Sequence, residues 1–282
     1  SPDAGFYIGQ CYPCDAIVNN VISENNGLGY SGTNSGGSLY IISSVFKNNK
    51  GGLAPNTLDS ELLPPERETF IIGNLIENNN NIDAPATQST NLSLGNGVVI
   101  AGGNNNVIKN NVIANHNLYG VIITATADVN YWPAHGNRVE SNLIINSKRA
   151  DIASSGLSNL GNCFENNYFN TSIPPGLQTL NNCDSSFYPL SADLSGMWSS
   201  LARVIQTSDG NYSQGDWRTF EAPANQPNMP IMDELISLGY DKTSLPVTKI
   251  WSSVKPAVEV FSQYEDVLEV IELPEEARNY LN

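Results

Sequence analysis

A short phrase recurs along the first two thirds of the chain: a polar residue, then Asn or Ser, two apolar residues, and a polar stretch rich in Asn. The apolar runs are only three to five residues long and are bounded by Asn and Gly. Such runs do not follow helical periodicity, and they indicate short strands joined by tight turns. The phrases are NNVISEN from Asn19, SSVFKNN from Ser43, GNLIENN from Gly73, NNVIANH from Asn110, SNLIINS from Ser141 and NNYFNTS from Asn166.

The spacing of these phrases predicts stacked coils. Their second residues, Asn20, Ser44, Asn74, Asn111, Asn142 and Asn167, are 24, 30, 37, 31 and 25 residues apart by subtraction. A coil of about 20–30 residues with short strands and turns of variable length is typical of a parallel β-helix. Asn suits its turns because it tolerates a left-handed backbone, and stacked Asn amides can bond each other in a ladder.

The phrase GNxIxNNxI, seen in Gly73–Ile76 and Asn106–Ile113, resembles the repeat of right-handed parallel β-helix proteins. Their pectate-lyase-like superfamily includes pectate lyases, alginate epimerases and periplasmic copper-maturation proteins. The resemblance covers about Asp3 to Asn182 and implies an all-β, right-handed parallel β-helix. It implies no single activity, because this scaffold hosts lyases, hydrolases, epimerases and non-enzymes. The segments DAGFYIGQC and GLGYSGTNSGG are similar to a group of bacterial secreted β-helix proteins.

The repeat defines two regions, a β-helix over residues 1–187 and a tail over residues 188–282. The tail contains a Pro-rich stretch from Gly215 and two helical candidates, MDELISLG from Met232 and PAVEVFSQYEDVLEVI from Pro256. The last coil of a β-helix exposes apolar side chains and unpaired strand edges. We therefore expect the tail to pack along the β-helix or to cap its C-terminal end; the alternative is docking onto a partner subunit.

The net charge and the composition restrict which partners and which cellular location are expected. The net charge is -15, so a nucleic acid is not expected as a partner, and a polyanionic polysaccharide would be repelled unless cations bridge it. No apolar stretch reaches the roughly 20 residues of a membrane span. The acidic, Asn-rich and Lys-poor composition suits a secreted or cell-surface protein, extracellular or periplasmic. Since Ser1 begins within the repeat pattern, we expect a mature or trimmed product.

Four cysteines, Cys11, Cys14, Cys163 and Cys183, fit two disulfides in an oxidising compartment. Strand-like flanks around CYPC favour a structural bridge, either local or to a neighbouring coil, over a redox centre, which is usually placed at a helix N-terminus. Cys163 and Cys183 lie about one coil apart, so a bridge that pins the last coil is preferred. A single zinc site is not expected, because only one CxxC pair is present.

Candidate site residues lie in the segments that interrupt the repeat. Asp59 and Glu61 belong to an acidic loop that also contains Glu66, Arg67 and Glu68. His135 lies close in sequence to Tyr131, Trp132 and Arg138, and aromatic faces can stack on sugar rings while a His can act as an acid or base. Asp59, Glu61 and His135 are the catalytic candidates, and Tyr131, Trp132 and Arg138 the ligand-binding candidates. His116 is expected to replace an Asn in the ladder.

The first functional expectation is a non-catalytic module at the cell surface, structural or glycan-binding. The alternative is a polysaccharide-active lyase, hydrolase or epimerase with its site in a β-helix groove. Such an enzyme needs converging carboxylates or a base, and a lyase of this scaffold can require Ca²⁺. No other cofactor and no protein metal site is expected. A third possibility is an accessory subunit that joins a larger extracellular assembly through its tail.

Overall fold

The computed structural model describes residues 1–156 and 160–184 together with Ala202 and Ile205. Parallel strands in this part form three long sheets, and the chain visits the sheets in a fixed order before it returns to the first sheet one level further on. This is the predicted parallel β-helix. The predicted tail helices lie outside the described residues.

Sheet 1 consists of β1 (Ala4–Tyr7), β4 (Leu28–Thr33), β7 (Gly51–Asn56), β10 (Val98–Ala101), β13 (Tyr119–Thr124), β18 (Ala150–Ser155) and β20 (Ser172–Ile173). Sheet 2 consists of β2 (Ala16–Asn19), β5 (Gly36–Ile42), β8 (Arg67–Ile72), β11 (Val107–Lys109), β16 (Arg138–Glu140) and β19 (Cys163–Glu165). Sheet 3 consists of β3 (Ile22–Glu24), β6 (Val45–Lys47), β9 (Leu75–Glu77), β12 (Val112–Ala114) and β17 (Leu143–Ile145). An antiparallel hairpin, β14 (Thr126–Ala127) and β15 (Tyr131–Trp132), and two short helices, α1 (Gln88–Asn91) and α2 (Leu177–Leu180), lie in the connections.

The core fills the inside of the coils. In sheet 2 the register stacks one inward apolar residue per coil, namely Val18, Ile41, Ile71, Ile108, Val139 and Phe164. Corresponding rows from the other two sheets join the same cluster. Burying one such side chain stabilises the fold by about 1.5–3 kcal/mol, so stability comes from stacking neighbouring coils.

The two residues of each Asn doublet in the repeat have different structural roles. The first residue has a left-handed backbone and turns the chain from sheet 2 to sheet 3, as at Asn110 with φ 54°. The second residue, Asn111, is buried and bonds to the coils above and below. The same left-handed position recurs at this corner in Asn20, Ser43, Gly73, Ser141 and Asn166.

The predicted ladder is present and continuous at this corner. Its members are Ser44, Asn74, Asn111, Asn142 and Asn167. The backbone N–H of Asn74 donates to Oδ1 of Asn111 at 2.9 Å, and that of Asn111 donates to Oδ1 of Asn142 at 2.9 Å. A second ladder with Asn26, Asn49 and Asn79 lies between sheets 3 and 1, and a third with Asn106, Asn137 and Asn162 lies between sheets 1 and 2.

The prediction was wrong by one residue in the first coil. The structure pairs Ile22 with Val45, so Asn20 lies opposite Ser43 and not opposite Ser44. Asn20 is exposed at the turn, and Val21 occupies the ladder position. The first coil therefore enters the ladder only through the backbone N–H of Val21, which donates to Oγ of Ser44 at 3.2 Å.

A column of glycines in sheet 1 makes room for the second ladder. A Cβ on Gly52 would lie 2.1 Å from the carbonyl oxygen of Gly97 and 3.1 Å from Nδ2 of Asn79. A Cβ on Gly97 would lie 2.7 Å from Nε2 of His116. The chain therefore requires glycine where the backbone of sheet 1 passes the ladder side chains. The register aligns Gly5, Gly29, Gly52, Gly97 and Gly120.

His116 takes the place of an Asn in this second ladder, as predicted. Nδ2 of Asn79 donates to the carbonyl of Phe46 at 3.0 Å, and Nε2 of His116 makes the equivalent bond to the carbonyl of Ile76 at 3.2 Å. The side chain is fully buried, and this burial lowers the pKa of His116 to about 4, although the bond to Ile76 opposes the shift.

Replacing His116 with Asn is expected to remove a loss of stability in acid. In the unfolded chain a His titrates near pH 6.5, so the wild type loses stability as the pH falls from 6.5 through 4, by up to about 3 kcal/mol. Thermal unfolding compares the two proteins at each pH, so that other titrating groups contribute equally to both. Relative to the wild type, His116→Asn should be more stable at pH 4.5 than at pH 7. The matched control, His135→Asn, changes the other histidine and should keep the wild-type difference between the two pH values; equal slopes for all three proteins would contradict the assignment.

The C-terminal end of the described coils is closed by residues 174–183. Leu177 of α2 is fully buried in the core. The backbone N–H and Nδ2 of Asn167 both donate to Oε1 of Gln178 at 2.9 Å, so Gln178 ends the first ladder. The Cys163–Cys183 disulfide fastens this cap, as predicted. The cap thus lies inside the predicted repeat region, before residue 188.

No helix within the described residues has the length and apolar composition for crossing a membrane.

Candidate functional site

Connections from sheet 1 to sheet 2 carry most of the predicted site residues. Two of them are long, residues 57–66 after β7 and residues 125–137 after β13. Since both start at the same end of sheet 1, they emerge on the same corner of the β-helix, two coils apart. We call residues 7–13, 57–68 and 125–135 the loop surface.

Asp59 joins the two long connections. Its carboxylate accepts bonds from the backbone N–H of Asn130 at 2.7 Å, from Nδ2 of Asn130 at 2.6 Å and from Nε1 of Trp132 at 3.2 Å. In return, the carboxylate of Asp128 accepts the backbone N–H of Asp59 at 2.9 Å. The Asn130 donors, foremost the backbone N–H, hold the pKa of Asp59 below its usual range. Asp59 therefore works as an ionised clamp between loops.

Glu61 is tied to the first coil. Its carboxylate accepts a short hydrogen bond from the hydroxyl of Tyr7, and its backbone carbonyl accepts Nδ2 of Asn34 at 3.0 Å. Burial, followed by the hydrogen bond and charge of Glu61, raises the pKa of Tyr7 to about 12. The phenol thus stays protonated at neutral pH and keeps donating to Glu61, which fixes the direction of the Tyr7 ring.

A similar pair lies beside it. The hydroxyl of Tyr12 donates to Oε2 of Glu68 at 2.9 Å, and the guanidinium carbon of Arg67 lies 3.7 Å from the centre of the Tyr12 ring. The Cys11–Cys14 disulfide closes the turn that carries Tyr12, so the CYPC motif is a local structural bridge. Glu68 itself has a left-handed backbone with φ 59°, at the corner position that Asn and Gly fill in the later coils.

Exposed apolar side chains gather on the loop surface. Tyr7, Tyr12 and Tyr131 are 47%, 41% and 46% exposed. Leu62, Leu63 and Val129 are exposed in the same segments, whereas Trp132 is partly buried. Sequence reasoning singled out Tyr131 and missed Tyr7 and Tyr12. They belong to the first coil, more than 40 residues before the loop that they contact.

His135 is hydrogen-bonded to two neighbouring coils. Its backbone N–H donates to Oδ1 of Asn104 at 2.9 Å, and its Nδ1 accepts the backbone N–H of Leu160 at 3.1 Å. These bonds hold the imidazole between neighbouring coils at the corner. Within residues 1–156 and 160–184, no hydrogen bond joins His135 to Asp59 or Glu61, so the structure does not assemble the three catalytic candidates into one bonded group.

Arg138 lies around the corner, on the outer face of sheet 2. Its Nε donates a short hydrogen bond to Glu140, which is also 3.2 Å from Nζ of Lys109. Burial opposes ionisation there, but the bonds and charges of Arg138 and Lys109 hold the pKa of Glu140 below its usual value. Ligand atoms of Glu140, Glu165 and Cys183 lie within 4.8 Å of one another. Because Cys183 is in a disulfide and Glu140 is paired with two cations, this group is better described as an ion-pair cluster than as a metal centre.

Glu66 belongs to the acidic loop in the sequence, but in the structure its carboxyl is not exposed to solvent. Its carboxyl is fully buried, where Oε1 accepts Oγ1 of Thr69 at 2.8 Å and Oε2 accepts Nδ2 of Asn106 at 2.8 Å. Burial raises the pKa of Glu66 to about 8, although both bonds and the nearby charge of Arg67 oppose the shift. The carboxyl faces the third ladder and not the loop surface.

Comparisons with known proteins do not assign a function to the chain. No protein-family model matches the sequence, and no curated protein is significantly similar to it. Among solved structures, the chain is similar to the A-module of a mannuronan C-5 epimerase from Azotobacter vinelandii, with 12% identity and a TM-score of 0.32 over 60% of this chain and 53% of that one. The chain thus spans about half of that module, and a likeness of this size carries no functional argument.

Proposed function

We propose that the protein is a non-catalytic extracellular or periplasmic module that binds a neutral glycan on its loop surface. One observation carries the proposal: exposed tyrosines gather on this surface, while the acidic groups around them are engaged in hydrogen bonds that hold the loops together. Tyrosine rings offer flat apolar faces that suit the C–H groups of a sugar ring.

Charge favours a neutral ligand. The loop surface carries the carboxylates of Asp59, Glu61, Glu68 and Asp128 against the single cation Arg67. An anionic polysaccharide would meet repulsion there, in keeping with the net charge of -15. The two disulfides fit an oxidising compartment outside the cytoplasm.

The loop bonds also favour binding without chemistry. Asp59 is already occupied by three donors, Glu61 accepts the hydroxyl of Tyr7, and Nδ1 of His135 accepts an N–H of its own chain. A general base must be within hydrogen-bond reach of the proton that it removes. By contrast, a binding surface gains from loops that are fixed before the ligand arrives, since less conformational entropy is lost on binding.

Isothermal titration against neutral and anionic polysaccharides tests this function. We expect binding of a neutral polymer. Tyr131→Ala and Tyr12→Ala should each lower the affinity by about 3- to 10-fold, the change expected when one aromatic contact is lost. Ile82→Ala removes an exposed apolar side chain outside the loop surface and is the matched control. Thermal unfolding of each variant separates lost contacts from lost fold.

Two results would overturn the proposal. One is binding that tolerates both tyrosine substitutions. The other is release of reducing or unsaturated sugar ends in the same mixtures, abolished by Asp59→Asn or Glu61→Gln, which would show the alternative, a polysaccharide-active enzyme.

A further inference from the structure

The outer face of sheet 3 carries a straight row of large apolar side chains. The register aligns Ile22, Val45, Leu75, Val112 and Leu143, one from each coil. Their neighbours in sequence from Val45 onward, Phe46, Ile76, Ile113 and Ile144, belong to the core. Because side chains alternate along a strand, the aligned row points away from the core. We call Val45, Leu75, Val112 and Leu143 the outer strip.

The outer strip is not a free surface. Its four members are 0–1% exposed, whereas Ile22, in the same row of the first coil, is 37% exposed. Ala114 and Ile145, at the other end of their strands on the same face, are fully buried as well. Four aligned aliphatic side chains on an outer face require a covering layer. The cover must therefore begin between the first and second coils.

The insertion over residues 80–96 does not account for this cover. Its bonds run to the corner beside sheet 1: the carbonyl of Ile82 accepts Nζ of Lys50 at 2.6 Å, and Oγ1 of Thr90 donates to the carbonyl of Pro2 at 3.1 Å. Ser93 lies against Gly51 in the same region. Asn80 and Gly95 also bond to residues 115–118 after the fourth coil, at the same corner. None of these bonds reaches β12 or β17, the strands that carry Val112 and Leu143.

We propose that the outer strip is the docking surface for residues 185–282 of the same chain. The chain has 98 residues beyond Asp184, by subtraction, which is enough to return from the C-terminal cap along the whole β-helix. The sequence from Pro256 places apolar residues at positions 258, 261, 264, 268 and 271, a helical spacing with acidic residues between them. In a helix, this spacing would extend over about 20 Å, and the four strands of the outer strip span about 14 Å.

Cleavage after Asp184 in the otherwise full-length protein tests this docking. A recognition sequence for a site-specific protease is inserted there and cut under native conditions. Size-exclusion chromatography with light scattering then shows whether the two pieces remain associated. We expect the pieces to remain together. Leu143→Glu should weaken their association at least tenfold, and Ile22→Glu, in the same row outside the cover, should leave it unchanged.

A photo-crosslinking residue at position 112 keeps the proposal testable if Leu143→Glu does not fold. We expect crosslinks from position 112 to peptides within residues 185–282 of the same chain, and none from a crosslinker placed at position 22. Separation of the pieces in the wild type, with the β-helix still folded by circular dichroism, would overturn the proposal. A dimer whose crosslinks join residue 112 of two copies would overturn it as well.

Discussion

Replacing Asn111 with Ala is expected to lower the free energy of unfolding by about 3–5 kcal/mol. Oδ1 of Asn111 accepts the backbone N–H of Asn74 at 2.9 Å and Nδ2 of Asn74 at 3.0 Å. Its own Nδ2 donates to the carbonyl of Ile71 and to Oδ1 of Asn142, both at 2.9 Å. The substitution leaves several of these buried groups without a partner, and each costs about 1–3 kcal/mol.

The adjacent residue supplies the control. Asn110 belongs to the same doublet, but it turns the chain with φ 54° and contributes no ladder amide. Asn110→Gly fits this backbone and should change stability by only about 0.5 kcal/mol. Urea unfolding followed by circular dichroism measures both variants. Equal losses for Asn110→Gly and Asn111→Ala would mean that the amide ladder is not what holds the corner.

The doublet explains why the fold could be predicted from the sequence. A left-handed turn residue and an inward amide are both roles for which Asn is well suited, so Asn fills at least one of the two positions in every coil with this corner except the second, which has Ser43 and Ser44. Prediction of the register failed where this chemistry is missing. Val21 occupies the ladder position of the first coil, and the phrase NNVISEN therefore aligned one residue too early. The glycine column was missed because its spacing follows the variable coil length.

The candidate site could be predicted only in part. Asp59 and Trp132 were both singled out, but their contact joins residues 73 positions apart and depends on two loops leaving the same corner. Arg138 is only three residues from His135, yet Gly136 and Asn137 form the corner between them, so Arg138 lies on another face. Nearness in sequence therefore misled within one loop, while stacked coils brought distant segments together.

The burial of the Glu66 carboxyl, and therefore its raised pKa, could not be predicted from the sequence either. In the sequence it stands between Pro65 and Arg67 in an acidic loop, which is the usual composition of a solvated segment. Its position inside the coil becomes visible only through Asn106, which donates to its carboxyl from 40 residues further on. Gly103 leaves the space for it, since a Cβ there would lie 2.0 Å from Oε2 of Glu66.

Replacing Glu66 with Gln is expected to stabilise the protein in mild base. The folded pKa of Glu66 is about 8, against 4.5 in the unfolded chain. Below pH 4.5 both states hold the proton and no penalty arises. As the pH rises from 4.5 through 8, only the unfolded state gives up its proton freely, so wild-type stability falls by about 1.4 kcal/mol per pH unit. At pH 8 the variant should therefore be about 4 kcal/mol more stable than the wild type.

Glutamine preserves the bonds of the protonated acid, because Oε1 can accept from Asn106 while Nε2 donates to Oγ1 of Thr69. Urea unfolding between pH 6.5 and 8.5 isolates the effect, since His116 contributes only at lower pH. Glu68→Gln, two residues further along at the corner, serves as the control and should keep the wild-type slope. A variant that follows the wild-type slope, or that is less stable than the wild type at pH 8, would mean that Glu66 is ionised inside the folded protein and that its two hydrogen bonds outweigh its burial.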